Sequence, residues 1–319
     1  MSSCERVHEH RRDGRVVVLT GGVGGAKLAL GLARVLEPGQ LTAIVNTGDD
    51  FTHLDLRISP DIDTLLYTLS GRAHALQGWG RQDETWSFMA ALESLVGDAW
   101  FKLGDADLAL HVLRTARLRA GEPLSQVIAS FAHRWAIETR ILPMTDDPVF
   151  TVVRTTEGTL SFQDYFVRRR CEPLAFRIAF DGAPDAQPAP GVLDALASAD
   201  VVLLAPSNPL LSIAPILAVP GLRDALAATS APVVAVSPLV GGQAVKGPTA
   251  KLMRELGFPT TASGIAVLYK GVIDGLLVDE RDHCNGLQVP TAQTDTLMQT
   301  LEDRMRVASA ALALARAIA

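Results

Sequence analysis

The stretch that decides the fold is Val16–Leu36, "VVVLTGGVGGAKLALGLARVL". Val16 to Leu19 is a short, continuous, mostly β-branched run, the pattern of a parallel strand buried on both faces. From Ala26 to Leu36 the apolar residues Leu28, Leu32, Val35 and Leu36 recur at helical spacing, so the stretch predicts a strand, a tight glycine turn and a helix. Gly21, Gly22, Gly24 and Gly25 let a backbone turn sharply and approach a phosphate, with the amides and positive dipole end of the helix facing it. Gly22, Gly24, Gly25 and Lys27 are therefore candidate phosphate ligands; the alternative is a purely structural strand-to-helix turn. The spacing fits neither GxGxxG nor a P-loop, because Leu28 stands where a P-loop needs a hydroxyl residue for magnesium.

Outward from this stretch the same rhythm continues. After "EPGQ", Leu41 to Val45 reads as a second buried strand that ends in the polar "NTGDD", at the carboxyl edge where open parallel sheets bind ligands. Late in the chain a helical "GVLDALASA" leads into a strand in "DVVLLAPSNP", and "GLRDALAAT" leads into "APVVAVSPLVGG"; "GLLVDERD" and a C-terminal helix follow. Residues 71–190 differ in character, with helical segments at "ETWSFMAALESLV", "ADLALHVLRTARLRAG" and "LSQVIASFAHRW", and a hairpin in "VFTVVRTTEGTLSF". The expected architecture is α/β: a Rossmann-like, three-layer, mostly parallel sheet formed by residues 16–70 and 191–319. A largely helical insertion subdomain, 71–190, lies over the sheet edge, and a disordered polar tail covers 1–15.

The 319 residues are 48% hydrophobic, enough for a sizeable core, and the net charge of -6 argues against nucleic-acid binding through a basic surface. Cys4, Cys171 and Cys284 are widely spaced with no CxxC pair, so reduced thiols in a cytoplasmic protein are expected. No run of eighteen consecutive apolar residues occurs, so no membrane contact is expected.

Three further constellations carry chemistry. "NTGDDFTHLDLRISPDIDT" places Asp49, Asp50, Asp61 and Asp63 close together, and such carboxylates repel unless something positive sits among them. Oxygen ligands of this kind suit Mg2+, which takes one or two carboxylates and completes its shell with water and substrate phosphate. Helix capping or turn formation is the alternative for any one of them. A dehydrogenase would use Asp49 on a ribose and leave "SPDIDT" unexplained. In "GWGRQDETW" (Gly78 to Trp86) and "WFKLGDADLALH" (Trp100 to His111), tryptophans beside Gly, Arg and Lys could wall a flat, multi-ring ligand, with core packing the alternative for Trp86 and Trp100. His111 and His133 lie in helical patterns and read as packed or surface histidines. Finally, "APSNP" and "SPLVGGQAVKGP", at successive strand ends, offer Ser207, Asn208, the Gly241-Gly242 backbone and Lys246 to a base or phosphate.

Taken in order, "GGVGGAKL", "NTGDD", "SPDIDTLLYTL", "GWGRQDETW", "WFKLGDADLALH", "ILPMTDDPV", "FQDYFVRRR", "LLAPSNPLLSIAPIL" and "SPLVGGQAVKGP" resemble the CofD family, called FbiA in actinobacteria, from Val16 to about Asp282. The resemblance implies the 2-phospho-L-lactate transferase reaction of coenzyme F420 biosynthesis, a transfer of a substituted phosphate group. A phospho-three-carbon acid (2-phospholactyl, phosphoenolpyruvyl or 3-phosphoglyceryl) passes from a guanosine diphosphate-linked donor to the ribityl hydroxyl of the deazaflavin Fo, releasing GMP. It implies Asp49 and Asp63 as catalytic groups, Mg2+ held by Asp49, Asp50 or Asp63, and Fo contacts from Asp63, Lys102 and Trp86. Gly22, Gly24, Gly25, Lys27, Ser207, Asn208 and Lys246 would take the donor nucleotide and its phosphates. The insertion would cover the acceptor site, and the active protein would be a homodimer. The alternative is a non-catalytic, nucleotide-binding regulator of the CofD-like YvcK type, which usually carries "PPGDIRN" where this chain has "SPDIDT"; a dehydrogenase rests on the glycine turn alone.

Overall fold

The computed structural model describes residues 14–74, 80–95, 97 and 99–319. Almost all of the expected tail, and Gly78 and Trp79 of the first tryptophan motif, lie outside the described residues. The chain opens with strand β1 (Val16–Thr20), buried along its whole length, and helix α1 (Gly22–Val35). The helix begins inside the glycine cluster and not at Ala26, where the apolar spacing alone places it. Gly21 is the extended N-cap, and the glycines that follow present no side chain to the strand ends beneath them. Next come β2 (Leu41–Val45), the hairpin β3 (Phe51–His53) and β4 (Leu56–Ile58), and α2 (Pro60–Leu69), whose proline occupies the first turn where no amide partner is needed.

The middle of the chain forms α3 (Ser87–Ser94), α4 (Asp105–Arg119), α5 (Leu124–Arg134) and β5 (Arg140–Pro143). The hairpin β6 (Phe150–Thr155) and β7 (Gly158–Ser161) is joined by β8 (Ala175–Asp181) into a three-stranded antiparallel sheet. The last part runs α6 (Val192–Ala197), β9 (Val201–Leu204), α7 (Ala214–Ala218), α8 (Leu222–Ala228), β10 (Val233–Val236) and the short pair β11 (Leu239–Val240) and β12 (Gln243–Ala244). It ends with α9 (Thr249–Glu255), α10 (Ala262–Leu268), β13 (Gly275–Asp279), β14 (Thr291–Thr294) and α11 (Leu301–Ile318).

Seven strands in the order β14-β13-β10-β9-β1-β2-β5, all parallel, form the central sheet. Alternation along β1 builds the two outer layers. Val16 and Val18 meet Leu28 and Leu32 of α1, Leu65 and Leu66 of α2, and Leu312 of α11, whereas Val17 and Leu19 meet Leu196, Leu226 and Ile265 on the opposite face. The segment expected to lie over the sheet edge also enters the sheet itself: β5 pairs with β2, and Val127, Ile128 and Phe131 of α5 join the same core as α1. Strand order reverses at β1, with β2 and β5 to one side and β9, β10, β13 and β14 to the other, so the crevice of an open α/β sheet falls at the carboxyl ends of β1 and β9. Among the described residues no single helix is long and apolar enough to cross a membrane.

Helix α1 packs along α11 through Gly31, where an added Cβ would stand 2.2 Å from the backbone oxygen of Arg304. A helical Gly→Ala change ordinarily gains up to about 1 kcal/mol. Here backbone blocks the methyl, so Gly31→Ala is expected to destabilise the chain by about 1–3 kcal/mol, read as a lower urea midpoint at unchanged slope. A raised midpoint would mean that the two helices slide apart freely.

Candidate active site

A cavity of about 1160 Å3 opens at the switch point. Its floor is the carboxyl edge of the sheet: Gly22, Gly24 and Lys27 after β1, Asp49 after β2, Ser207 and Asn208 after β9, and Ser237 after β10. Its far wall comes from the insertion and the small sheet, through Trp86, Trp100, Phe101, Lys102, Phe162 and Phe166.

The glycines act first as spacers. A Cβ at Gly24 would lie 2.5 Å from the carbonyl oxygen of Pro206, and one at Gly25 would lie 2.1 Å from Thr20 Oγ1 and 2.7 Å from Ser207 Oγ. Gly25 is buried in this contact and does not line the cavity, so of the three glycines expected to bind phosphate only Gly22 and Gly24 face it. Ser207 is tied to the same turn: its hydroxyl donates to the Gly21 carbonyl at 2.7 Å and accepts from the Gly21 amide at 3.2 Å. Asn208 Oδ1 accepts from the amides of Leu210 and Leu211 at 2.9 and 3.2 Å, and its buried Nδ2 has no hydrogen-bond partner among the described residues. Lys27 donates to the Met298 carbonyl at 2.6 Å, and burial together with the nearby cations Arg304 and Lys246 holds its pKa below the usual lysine range. An anion relieves a cluster of that kind.

The four aspartates, adjacent in sequence, occupy different settings. Asp49 and Asp61 are buried and bridged by one amide: Asn46 Nδ2 donates to Asp61 Oδ2 at 2.9 Å and to Asp49 Oδ1 at 3.3 Å. Asp61 Oδ1 accepts the Gly22 amide at 2.6 Å, joining this pair to the first turn of α1. Burial pushes the Asp61 carboxyl up to about 6. Burial, with Asp61 and Asp50 adding like charge, raises Asp49 well above the carboxylate range. Asp50 turns the other way: it accepts from Ser59 Oγ at 2.7 Å, lines a separate small cavity with Arg57 and Asp146, and is raised by burial to about 7. Asp63, expected to share a metal, lines the main cavity but is already neutralised, because both of its oxygens accept from Arg114, whose side chain is 0% exposed.

Arg114 and its surroundings were missed by sequence patterns. On α4, Asp107, His111 and Arg114 share one face at i, i+4 and i+7. His111 Nε2 lies 3.1 Å from Asp107 Oδ2, and Tyr67 on α2 donates its hydroxyl to Asp107 Oδ1. His111 is thus packed, as its helical setting suggests, yet it lies on the cavity wall. The spacing itself was the available signal. Asp49 has an unforeseen partner as well, since Gln163 Nε2 donates to its carbonyl at 2.9 Å. Of the two tryptophans, Trp86 is 48% exposed and is no core residue. Trp100 is partly buried against Phe51, His53 and Phe101, with the Arg168 guanidinium 4.7 Å above its ring. Lys102 and Lys246 are exposed at the cavity.

The family model described as 2-phospho-L-lactate transferase CofD matches residues 16–314. A protein named phosphoenolpyruvate transferase from Kitasatospora aureofaciens is 46% identical over 316 residues, covering 95% of this chain and 98% of its own. One of the same name from Mycolicibacterium smegmatis is 39% identical over 322 residues, covering 94% and 98%. A solved structure of a UPF0052-family protein from Bacillus halodurans shares the fold, with a TM-score of 0.64 over 94% of this chain and 99% of that one at 17% identity.

The paired carboxylates predict a pH signature. Where the folded pKa is raised above the unfolded 3.8, the folded chain holds protons that the unfolded chain has lost, so stability falls as pH rises from about 4 towards 7. Asp49→Asn removes one of the two charges and keeps an oxygen for Asn46. It is expected to stabilise the chain at pH 8, on the order of 1–3 kcal/mol, and much less at pH 5. Thermal unfolding at the two pH values checks this; equal effects at both would show that the pair carries no buried charge.

Proposed function

The chain belongs to the family described as 2-phospho-L-lactate transferase CofD, and from that premise we propose that it transfers a phosphoenolpyruvyl unit from a guanosine diphosphate-linked donor to the deazaflavin Fo, releasing GMP, in coenzyme F420 biosynthesis. The observation that carries this reading is the two-sided cavity, with anion-binding groups on the sheet edge, an aromatic and cationic wall opposite, and buried carboxylates between. The choice of phosphoenolpyruvyl over 2-phospholactyl or 3-phosphoglyceryl follows the name of the relatives. The working form is a cytoplasmic homodimer.

In this reading Gly22, Gly24 and Lys27 hold the donor diphosphate, and Ser207, Asn208 and Lys246 its nucleoside end. Trp86 and Lys102 hold the deazaflavin. Asp49 and Asp61 fit a magnesium ion: two buried carboxylates bridged by Asn46, with raised proton affinity, suit an ion that would take the rest of its shell from water and phosphate. Such an ion supplies neutralisation of the diphosphate. Asp50, facing another cavity, and Asp63, paired with Arg114, are left out of that set. The protein's own part is to align the Fo hydroxyl with the phosphorus and the departing GMP oxygen, and to meet the developing charge with the α1 amides and Lys27.

The test is incubation with Fo and each of the three guanylylated acids, with product identification by mass. Turnover with the phosphoenolpyruvyl donor above the others is expected; nucleotide binding without any transfer would return the chain to the regulatory class. Lys102→Ala is expected to weaken Fo affinity about tenfold or more, a loss of roughly 1.4 kcal/mol, with guanine nucleotide binding unchanged. Fo fluorescence titration measures the first and thermal shift with GDP the second.

A further inference from the structure

Arg114 is among the largest fully buried side chains of the protein, and it donates through Nη1 to Asp63 Oδ2 at 3.1 Å and to the Arg57 carbonyl at 3.2 Å, and through Nη2 to Asp63 Oδ1. Behind it runs a polar chain. Tyr67 donates to Asp107, and Asp107 lies 3.1 Å from His111 Nε2. His111 Nδ1 faces Arg114 Nη1 at 3.4 Å and Asp63 Oδ2 at 3.7 Å. Thr115, one residue further along α4, accepts the Arg57 amide at 2.8 Å, so α4 is fastened to β4 on both sides of the fork.

Stability does not explain this arrangement. A buried ion pair contributes little compared with apolar groups of the same size, because both charges must leave water. The chain nevertheless maintains five polar side chains, Tyr67, Asp107, His111, Arg114 and Asp63, of which all but Arg114 line the cavity. A lysine could neutralise Asp63; only a planar fork takes both carboxylate oxygens and fixes the orientation of the group.

We propose that Arg114 is a positioning residue for the transfer: its fork, packed against Asp107 and His111, fixes the orientation of the Asp63 carboxylate at the cavity wall, where it accepts a hydrogen bond from the attacking hydroxyl and aims it. This rests on the transferase reading above. The insertion thereby completes the site as well as covering it, because α4 supplies the groups that set the angle of a carboxylate carried by α2.

The experiment measures steady-state transfer from the guanosine diphosphate-linked phosphoenolpyruvate to Fo by wild type, Arg114→Lys, Asp107→Asn and the double variant Asp63→Asn/Arg114→Met, with the Tm of each. Arg114→Lys, which keeps the charge and loses the fork, is expected to lower kcat about 10- to 100-fold while both KM values stay within about threefold, as for a misaligned group. Asp107→Asn, which removes the carboxylate beside His111 and Tyr67, lowers kcat in the same sense at a Tm close to wild type. The double variant removes both charges and serves as the check on folding: it unfolds cooperatively with a Tm near wild type and shows the loss in kcat. Wild-type kcat in Arg114→Lys, or a loss carried by KM alone, overturns the proposal and leaves the transferase reading standing. A wild-type chain that transfers nothing overturns both.

Discussion

The close approach of the first turn of α1 to the ends of β1 and β9 is the constraint on which the cavity depends. Gly24 and Gly25 sit where any side chain would collide with the Pro206 carbonyl, Thr20 or Ser207. Because they carry none, the helix starts one residue after β1, its amides face the crevice, and Gly22 reaches Asp61. A helix displaced outward by one methyl would lose the hydrogen bond to Asp61 and the double contact of Ser207 with the Gly21 backbone. Gly24 and Gly25 make the packing, and the packing brings Gly22 and Gly24 to the cavity.

Much of the sheet was legible because its inner strands are buried on both faces and so read as unbroken apolar runs, as in "VVVLT", "LTAIV", "VVLL" and "VVAV". The edges were not. Strand β5 is four residues with an exposed arginine at one end and a proline at the other, and β14, "TAQT", alternates between exposed and half-buried positions. Neither contains a pattern that distinguishes it from a loop; each is a strand because a parallel neighbour offers a free row of backbone groups. Helix α1 was misplaced at its start for a related reason: glycine has poor helix propensity, and a tertiary contact overrides it.

The same division holds at the site. Aspartates stand out in "NTGDDFTHLDLRISPDIDT" because they outnumber its basic residues, His53 and Arg57, whereas Arg114 lies in a segment with Arg117 and Arg119 and has the look of a solvated helix face. Only the docking of α4 against α2 and β4 separates them. Arg117 pairs with Glu122 and Arg119 with Asp55 towards solvent, while Arg114 goes to the interior. A charge whose burial is decided by the packing of two helices distant in sequence leaves little local trace.

Asp49, Asp50, Asp61 and Asp63, buried close together, pose an electrostatic problem that the fold meets with three different surroundings. Asp63 is neutralised by a guanidinium, Asp50 is turned to the far side of the strand end against Ser59, and Asp49 and Asp61 share the Asn46 amide without a cationic side chain bonded to either. This last pair lies at the cavity beside the α1 amides. A diphosphate bound at those amides, as proposed above, would bring more negative charge to the same place, so the two could not coexist there unless protons or a cation came with the ligand. In the proposed reading the donor diphosphate and the carboxylate pair would be coupled by charge: whatever neutralised Asp49 and Asp61 would raise the affinity for the anion, and the anion in turn would favour the neutralised pair.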